Sequence, residues 1–180
     1  MGLMSNTTIE YELTYLAREV PTEIRSALPI RLVDIYVPED QNIHPHLRLR
    51  RKGANYEITK KLPNNATDLS EHTEQTIPLE QGEFESLSSG HGRLVEKDRY
   101  AVVIEGRPAE VDVFSGLLEG LVMIDFEFLN ATDKQTFTPP ACCLADVTQT
   151  DFLAGGMLSG KSYANIEPEL AKLGYQPLHV

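Results

Sequence analysis

The sequence predicts an α+β fold built on a closed or strongly curved antiparallel sheet with a few helices. Three observations lead there. Strand-like segments cover most of the chain, ionisable residues recur at i and i+2 between apolar neighbours, and helical signals are sparse and do not alternate regularly with strands. A regular βαβ order would instead indicate a doubly wound parallel sheet. The length of 180 residues suits a single domain spanning 1–180, with enough chain for a core.

In chain order, strands are expected at about 8–16, 31–37, 46–51, 55–62, 70–77, 92–97, 98–105, 108–114 and 122–129. Turn residues join several of them, among them Lys52, Gly53, Ala54 and Asn55, and Glu105, Gly106, Arg107 and Pro108, so antiparallel hairpins are expected. Three helices fit between and after the strands. Thr22 is read as the cap of a short helix running to about Leu28, Pro78 as the opening of one through Leu87, and Pro168 with Gly174 as the brackets of a third.

The alternating pairs are Glu10/Glu12, Arg48/Arg50, Lys97/Arg99, Glu110/Asp112 and Asp125/Glu127. A strand turns successive side chains to opposite faces, so each pair shares one face while Ile9, Tyr11, Leu13, Leu47, Leu49, Val111, Val113, Ile124, Phe126 and Phe128 take the other. A solvent-exposed sheet face accounts for one or two such strands, but not for like charges paired within strands while helices are so few. Two like charges about 4 Å apart repel by roughly 4 kcal/mol at an effective dielectric near 20, so clustered cations need anions among them, and phosphate oxygens serve. Clustered carboxylates need protons or a divalent cation, and oxygen-only ligation suits Mg²⁺ or Mn²⁺ better than zinc. A basic half for phosphates beside an acidic half for metal is what metal-assisted phosphoryl transfer requires.

Composition narrows the remaining classes. A net charge of -11 argues against non-specific nucleic-acid binding, because such a chain repels a phosphate backbone except at a locally basic site. No apolar run approaches the roughly 20 residues that cross a bilayer, and the start MGLMSNTTIE lacks the regions of a signal peptide. Asn6 stands where a myristoylation signal at Gly2 needs Ser or Thr. The adjacent Cys142 and Cys143 suit neither a disulfide framework nor a zinc site, which leaves a cytoplasmic protein with two packed thiols as the expectation.

Other conspicuous residues have simpler readings. AGGMLSGKS matches the phosphate-loop pattern from Gly155 to Ser162, but a polar run precedes it where a buried strand is required, and residues 163–180 are too few for the rest of a parallel sheet. It reads as a glycine-rich break beside a C-terminal helix. His44 and His46 flank Pro45 in a polar loop without a third zinc ligand, His91 reads as a turn, and Tyr36 reads as either tunnel-facing or packing.

With these residues in place the chain resembles the CYTH superfamily, the triphosphate tunnel metalloenzymes. IEYEL resembles the ExExK signature, LRLRRKG its RxR strand, EITKK its TxK strand through Thr59 and Lys61, and EKDRY its KxR strand. EVDVFSGLLEGLVMIDFEF resembles its long acidic stretch, and ADVT also fits, so the likeness runs in order from about residue 9 to 165. It implies an eight-stranded antiparallel barrel with a charged tunnel inside and helices on the apolar outer face. It also implies roles: Glu10, Glu12, Asp112, Asp125 and Glu127 on Mg²⁺ or Mn²⁺; Arg48, Arg50, Lys61, Lys97 and Arg99 on phosphate; Thr59, Glu74 and Glu110 beside them. The signature lysine, assigned a part in activating water, is Thr14 here, which carries no charge and is no base near neutral pH. Asp125 replaces the usual Glu, and Ser70, His72 and Glu74 stand where Arg and two Glu are frequent, so only Glu74 carries over.

The expected function is divalent-metal-dependent hydrolysis of inorganic triphosphate or of a nucleoside or other organic triphosphate, with Glu10, Glu12 and Thr14 at the reacting end. The expected partner is that small molecule, with neither nucleic acid nor membrane, in a monomer or homodimer. Two rival readings use the same residues: a class IV-type adenylate cyclase making cyclic AMP from ATP, and a non-catalytic polyphosphate or nucleotide sensor suggested by Thr14.

Overall fold

A computed structural model describes residues 6–40, 42–65 and 67–180, with residues 6 and 7 described by backbone alone; Gly2 lies outside the described residues. The strands are β1 (Asn6–Ala17), β2 (Ile30–Val37), β3 (Leu47–Lys52), β4 (Asn55–Asn65), β5 (Asp68–Leu79), β6 (Leu94–Ile104), β7 (Arg107–Phe114), β8 (Val122–Phe128) and the short β9 (Cys143–Asp146). Neighbours run β5, β4, β3, β2, β6, β7, β8, β1, and β1 pairs back onto β5, so β1 to β8 close into an antiparallel barrel. One strand makes the closure: Tyr11 of β1 lies opposite Glu71 of β5 on one edge and Phe128 of β8 on the other. Beyond Tyr11, β9 takes over the edge that β5 leaves, with Tyr15 opposite Asp146 and a register shift between Leu16 and Ala17. Closure leaves most strand edges paired, which removes the open edges through which sheets associate.

The two expected segments at 92–97 and 98–105 are one strand, β6, because Asp98 pairs in both directions, opposite Arg31 and Val113, and no turn residue intervenes. At the β6–β7 hairpin Glu105 and Gly106 both adopt positive φ, 49° and 80°, the conformation a tight turn between twisted strands demands. The helices are α1 (Gln81–Ser88), α2 (Ala131–Gln135), α3 (Gly155–Leu158) and α4 (Tyr163–Lys172). Their starts differ from expectation. Thr22 begins a 3₁₀ turn, Thr22–Ser26, capped from Pro21 rather than from its own hydroxyl. Pro78 remains in β5, and α1 opens at Glu80, whose carboxylate and that of Glu83 form a reciprocal capping box. Ser162 and Asn165 cap α4 in the same way, so Pro168 sits inside the helix at its sixth residue, not at its start.

Alternation along the strands creates two apolar cores. The outward residues Tyr15, Val111, Val122, Ile124, Phe126 and Phe128 are buried together beneath Ile24 and the segment carrying Phe137, Cys142 and Cys143, both cysteines being free thiols. Burying each large side chain there contributes roughly 1.5–3 kcal/mol before entropy is counted. The second core is at one end of the barrel. Leu16, Tyr36, Val95, Phe114 and Met123 share the tunnel face with Thr14, Asp34, Lys97, Asp112 and Asp125, yet they pack against Leu153, Leu158, Ile166 and Leu170 of the C-terminal segment. The charged rows therefore stop short of that end, and the chain's own tail covers it.

Gly155 and Gly156 make this closure possible. A Cβ on Gly155 would strike the Tyr36 hydroxyl, and one on Gly156 would lie 2.8 Å from Pro45 Cγ. Arg93, 1% exposed, holds the contact together: it donates to the carbonyls of Pro38, Asp40 and Ile43 at 3.0, 2.8 and 3.1 Å, to that of Gly156 at 2.6 Å and to Ser159 Oγ at 3.1 Å. The glycine-rich AGGMLSGKS segment thus forms α3 and the break before α4. No described helix is long and apolar enough to cross a membrane.

Candidate active site

The barrel encloses a cavity of about 450 Å³. Its walls carry Glu10, Glu12 and Thr14 from β1, Arg48, Arg50 and Lys52 from β3, Thr59 and Lys61 from β4, His72 and Glu74 from β5, Lys97 and Arg99 from β6, Glu110 and Asp112 from β7, and Asp125 and Glu127 from β8. Every site residue expected from the sequence thus faces one space. Strand parity delivers them, and cross-strand register decides which charges meet.

On the β2, β3, β6 and β7 wall the charges neutralise one another. Arg50 grips Asp34 through two bonds, Nε to Oδ1 at 2.6 Å and Nη2 to Oδ2 at 2.7 Å. Burial alone would raise the Asp34 carboxyl, but Arg50 outweighs it and holds Asp34 down to about 2. Arg99 likewise forks onto Asp112, with Nε on Oδ1 and Nη2 on Oδ2 both at 2.7 Å, reaches Asp125 Oδ2 at 3.3 Å and pairs with Glu110. Lys97 pairs with Asp112 as well. Burial pulls Lys97 below the ordinary lysine value, Asp112 opposes that, and Arg99 and Arg50 add to it.

The β1, β4 and β5 wall, together with Arg48 at the neighbouring start of β3, is looser. Lys61 Nζ lies 3.0 Å from Glu10 Oε2 and 3.7 Å from Glu12 Oε1, and Arg48 Nη2 lies 3.6 Å from Glu74 Oε2. Thr59 Oγ1 shares a hydrogen bond with Thr76 Oγ1 at 2.9 Å, and Thr76 donates to Glu74 at 3.0 Å. Two nitrogens here, Arg48 Nε and His72 Nδ1, are the buried side-chain polar atoms without a hydrogen-bond partner among the described residues. An unmade bond of this kind costs about 1–3 kcal/mol unless a ligand supplies the partner. Burial first, and then the Lys61 ammonium, push the His72 imidazole down to about 4, so it is uncharged at neutral pH.

Carboxylates are in excess on the β1 and β8 side. Burial, then Glu12 and Asp112, push Asp125 up to about 7, and desolvation with Glu110, Glu12 and Glu10 raises Glu127. Thr14 donates from Oγ1 to Asp125 Oδ1 at 2.8 Å, while its own N–H is held by Thr148 Oγ1 at 3.0 Å. As the side chains stand, no three His, Cys, Asp or Glu among the described residues converge into a metal cage, because Lys61 and Arg99 occupy most of the carboxylates. The donor chemistry still fits a hard divalent cation: the set is all oxygen, and the upward shifts of Asp125 and Glu127 mark surplus negative charge a cation would relieve.

Sequence reasoning missed four positions in and around this site. Asp34 has Tyr36 rather than a charged residue at i+2, so the pair rule does not reach it, although it lies buried against Arg50. His72 was set aside as a poor match. His44 and His46 do lie in a loop and form no zinc site, but they line the closed end of the cavity, stacked with ring centroids 5.0 Å apart, and His44 Nδ1 meets Asp151 Oδ1 at 2.9 Å. His91 does lie in a turn, its N–H bonded to Ser88 O at 3.2 Å.

Comparison with known proteins adds an independent line. No family model matches the chain. An inorganic triphosphatase of Nitrosomonas europaea is 32% identical over 142 residues, covering 78% of this chain and 89% of that protein. The crystal structure of the inorganic triphosphatase NE1496 superposes with a TM-score of 0.60 and 28% identity, covering 88% of this chain and 97% of that one. A putative adenylate cyclase from Bacillus halodurans, at 18% identity and a TM-score of 0.54 over 90% of this chain and 97% of its own, shares the fold. The closed barrel, its inward rows of acid and base and this relationship lead to one assignment: the chain belongs to the CYTH superfamily of triphosphate tunnel metalloenzymes.

Proposed function

We propose that this protein is a divalent-metal-dependent triphosphatase of the cytoplasm, a monomer or homodimer that hydrolyses inorganic triphosphate or a nucleoside or other organic triphosphate inside the tunnel. The observation that carries this reading is the looser wall. Arg48 and Lys61 face a confined cavity, Arg48 with an Nε that has no partner among the described residues and Lys61 held by carboxylates, as a site for phosphate oxygens requires. Lys97 and Arg99 complete the grip from the opposite wall, while Arg50, locked to Asp34, contributes positive potential more than a free donor.

Glu10, Glu12, Asp125 and Glu127, with Asp112, would hold Mg²⁺ or Mn²⁺, which supplies charge neutralisation and a bound water of lowered pKa. A phosphate chain draws Lys61 and Arg99 away from the carboxylates they cover, so substrate itself frees acidic donors. Thr14 does not act as a base: its proton is committed to Asp125, and it orients that carboxylate. Glu12, held charged against burial by Lys61 and Arg99, remains an acceptor within the tunnel at neutral pH.

The direct test is phosphate release from a panel of tri- and polyphosphates with Mg²⁺, Mn²⁺ and Ca²⁺, using Glu12→Gln as control. Absence of release from every triphosphate, or no effect of the substitution, would sink the reading. Thr14 favours one other reading, a sensor that binds triphosphate tightly without turnover, and rapid turnover by the wild-type protein excludes it. Formation of cyclic AMP and pyrophosphate from ATP would mark a cyclase instead.

A further inference from the structure

We propose that His72 is a phosphate-contacting residue, its Nδ1–H donating to a phosphate oxygen held beside Arg48 and Lys61. The proposal rests on the triphosphatase reading and adds a binding group that the family likeness did not carry over. His72 sits on the tunnel face of β5, opposite Glu10 of β1 and Pro63 of β4, and it lines the cavity. Among the described residues its Nδ1 is buried without a hydrogen-bond partner, as is Arg48 Nε. The two share a neighbour: Glu74, two residues along the same face of β5, lies 3.6 Å from Arg48 and directly opposite Lys61 in register. Donors on three adjacent strands, β3, β4 and β5, are thereby turned toward one part of the tunnel.

The chemistry distinguishes anion from cation. The Lys61 ammonium is the largest electrostatic influence on the His72 imidazole, opposed by Glu12, Glu74 and Asp68, and a metal ion at Nδ1 would face that ammonium. A phosphate oxygen is attracted by Lys61 and Arg48 and gives Nδ1–H and Arg48 Nε–H the acceptor each lacks. The contact needs no charge on His72, only the Nδ1–H tautomer.

Asparagine places its amide nitrogen near the Nδ1 position, whereas glutamine reaches toward Nε2, so the three variants H72A, H72N and H72Q separate a directed donor from mere bulk. Calorimetric titration of metal-free protein with inorganic triphosphate is expected to show binding weakened about ten- to a hundredfold in H72A and H72Q, with H72N within a few-fold of wild type. In steady-state assays the loss falls on KM more than on kcat. Imidazole ¹⁵N spectra of the wild-type protein, with His72 assigned by its absence in H72N, are expected to show Nδ1 shifting on addition of triphosphate, a readout independent of how the variants fold. Unchanged binding in H72A, equal rescue by Gln and Asn, an unmoved Nδ1 signal, or a loss confined to Mn²⁺ binding without triphosphate each overturns the proposal. Failure of the wild-type protein to bind triphosphate overturns the underlying reading as well, and so differs from failure of the variant series alone.

Discussion

The two walls of the tunnel hold their charges differently. On the β2, β3, β6 and β7 wall, Asp34 with Arg50 and Asp112 with Arg99 are forked, buried pairs whose donors meet acceptors at 2.6 to 2.7 Å. On the β1, β4 and β5 wall, with Arg48 reaching in from the start of β3, contacts are 3.0 to 3.7 Å, and among the described residues Arg48 Nε and His72 Nδ1 have no hydrogen-bond partner. Saturated pairs stabilise a shape, because removing either partner strands the other in a dry interior. Unsaturated groups are a cost to the free protein that a ligand can offset. Binding should therefore be centred on the looser wall, with the tighter wall acting chiefly as a frame from which Lys97 and Arg99 complete the grip.

The sharpest way to break this comparison is Asp34→Asn. It strands the Arg50 guanidinium and is expected to destabilise the protein by about 3–5 kcal/mol, read by chemical denaturation. The same pair sets an acid limit. The Asp34 pKa is lowered to about 2, so its stabilising contribution is complete above the ordinary value near 4 and is lost as pH falls through about 2. A small effect of the substitution would show that the pair is not structural.

Next in size, Glu12→Gln is expected to lower kcat for triphosphate about a hundred- to a thousandfold while the melting temperature stays close to wild type. A large loss of stability would instead place Glu12 in the frame. Arg48→Ala is expected to raise KM about ten- to a hundredfold with a smaller change in kcat, since it removes a group that binds oxygen without bonding tightly in the free protein.

The smallest effect should be a gain. With its pKa raised to about 7, Asp125 binds a proton more readily in the folded than in the unfolded chain, so it costs stability increasingly as pH rises from about 4 to 7. Metal-free Asp125→Asn protein should melt higher than wild type at pH 8, and the advantage should shrink as pH falls toward 4. The same variant should bind Mn²⁺ more weakly. A lower melting temperature at pH 8 would mean that the bond from Thr14 and the contact with Arg99 outweigh the repulsion from Glu12.

The inward rows were legible because paired like charges at i and i+2 announced them: Glu10/Glu12, Arg48/Arg50, Lys97/Arg99, Glu110/Asp112 and Asp125/Glu127 all line the cavity. The rule is silent at the end of the barrel, where Leu16, Phe114 and Met123 continue the tunnel face with apolar side chains. It also passed over His72, which carries no formal charge, and Arg93, which stands outside any pair. Helix starts were misplaced at Pro78 and Pro168 because a proline tolerated in β5 or within α4 resembles a helix opening when neighbours are unknown.

What the sequence determined by itself is the sidedness of each strand. Side-chain direction follows from backbone pleating with a period of two, and ten residues are enough to display it. Only the tertiary structure decided which charges meet. Asp34 reaches Arg50, Arg99 reaches Asp125 and Lys61 reaches Glu10 because barrel closure sets register between strands far apart in the chain. The covered end likewise depends on distant contacts, with Gly156 against Pro45 and Arg93 bonded to both sides. Local patterning assigns a residue to a face; the strength of its pairing there, and hence its freedom to bind a ligand, is a property of the closed barrel.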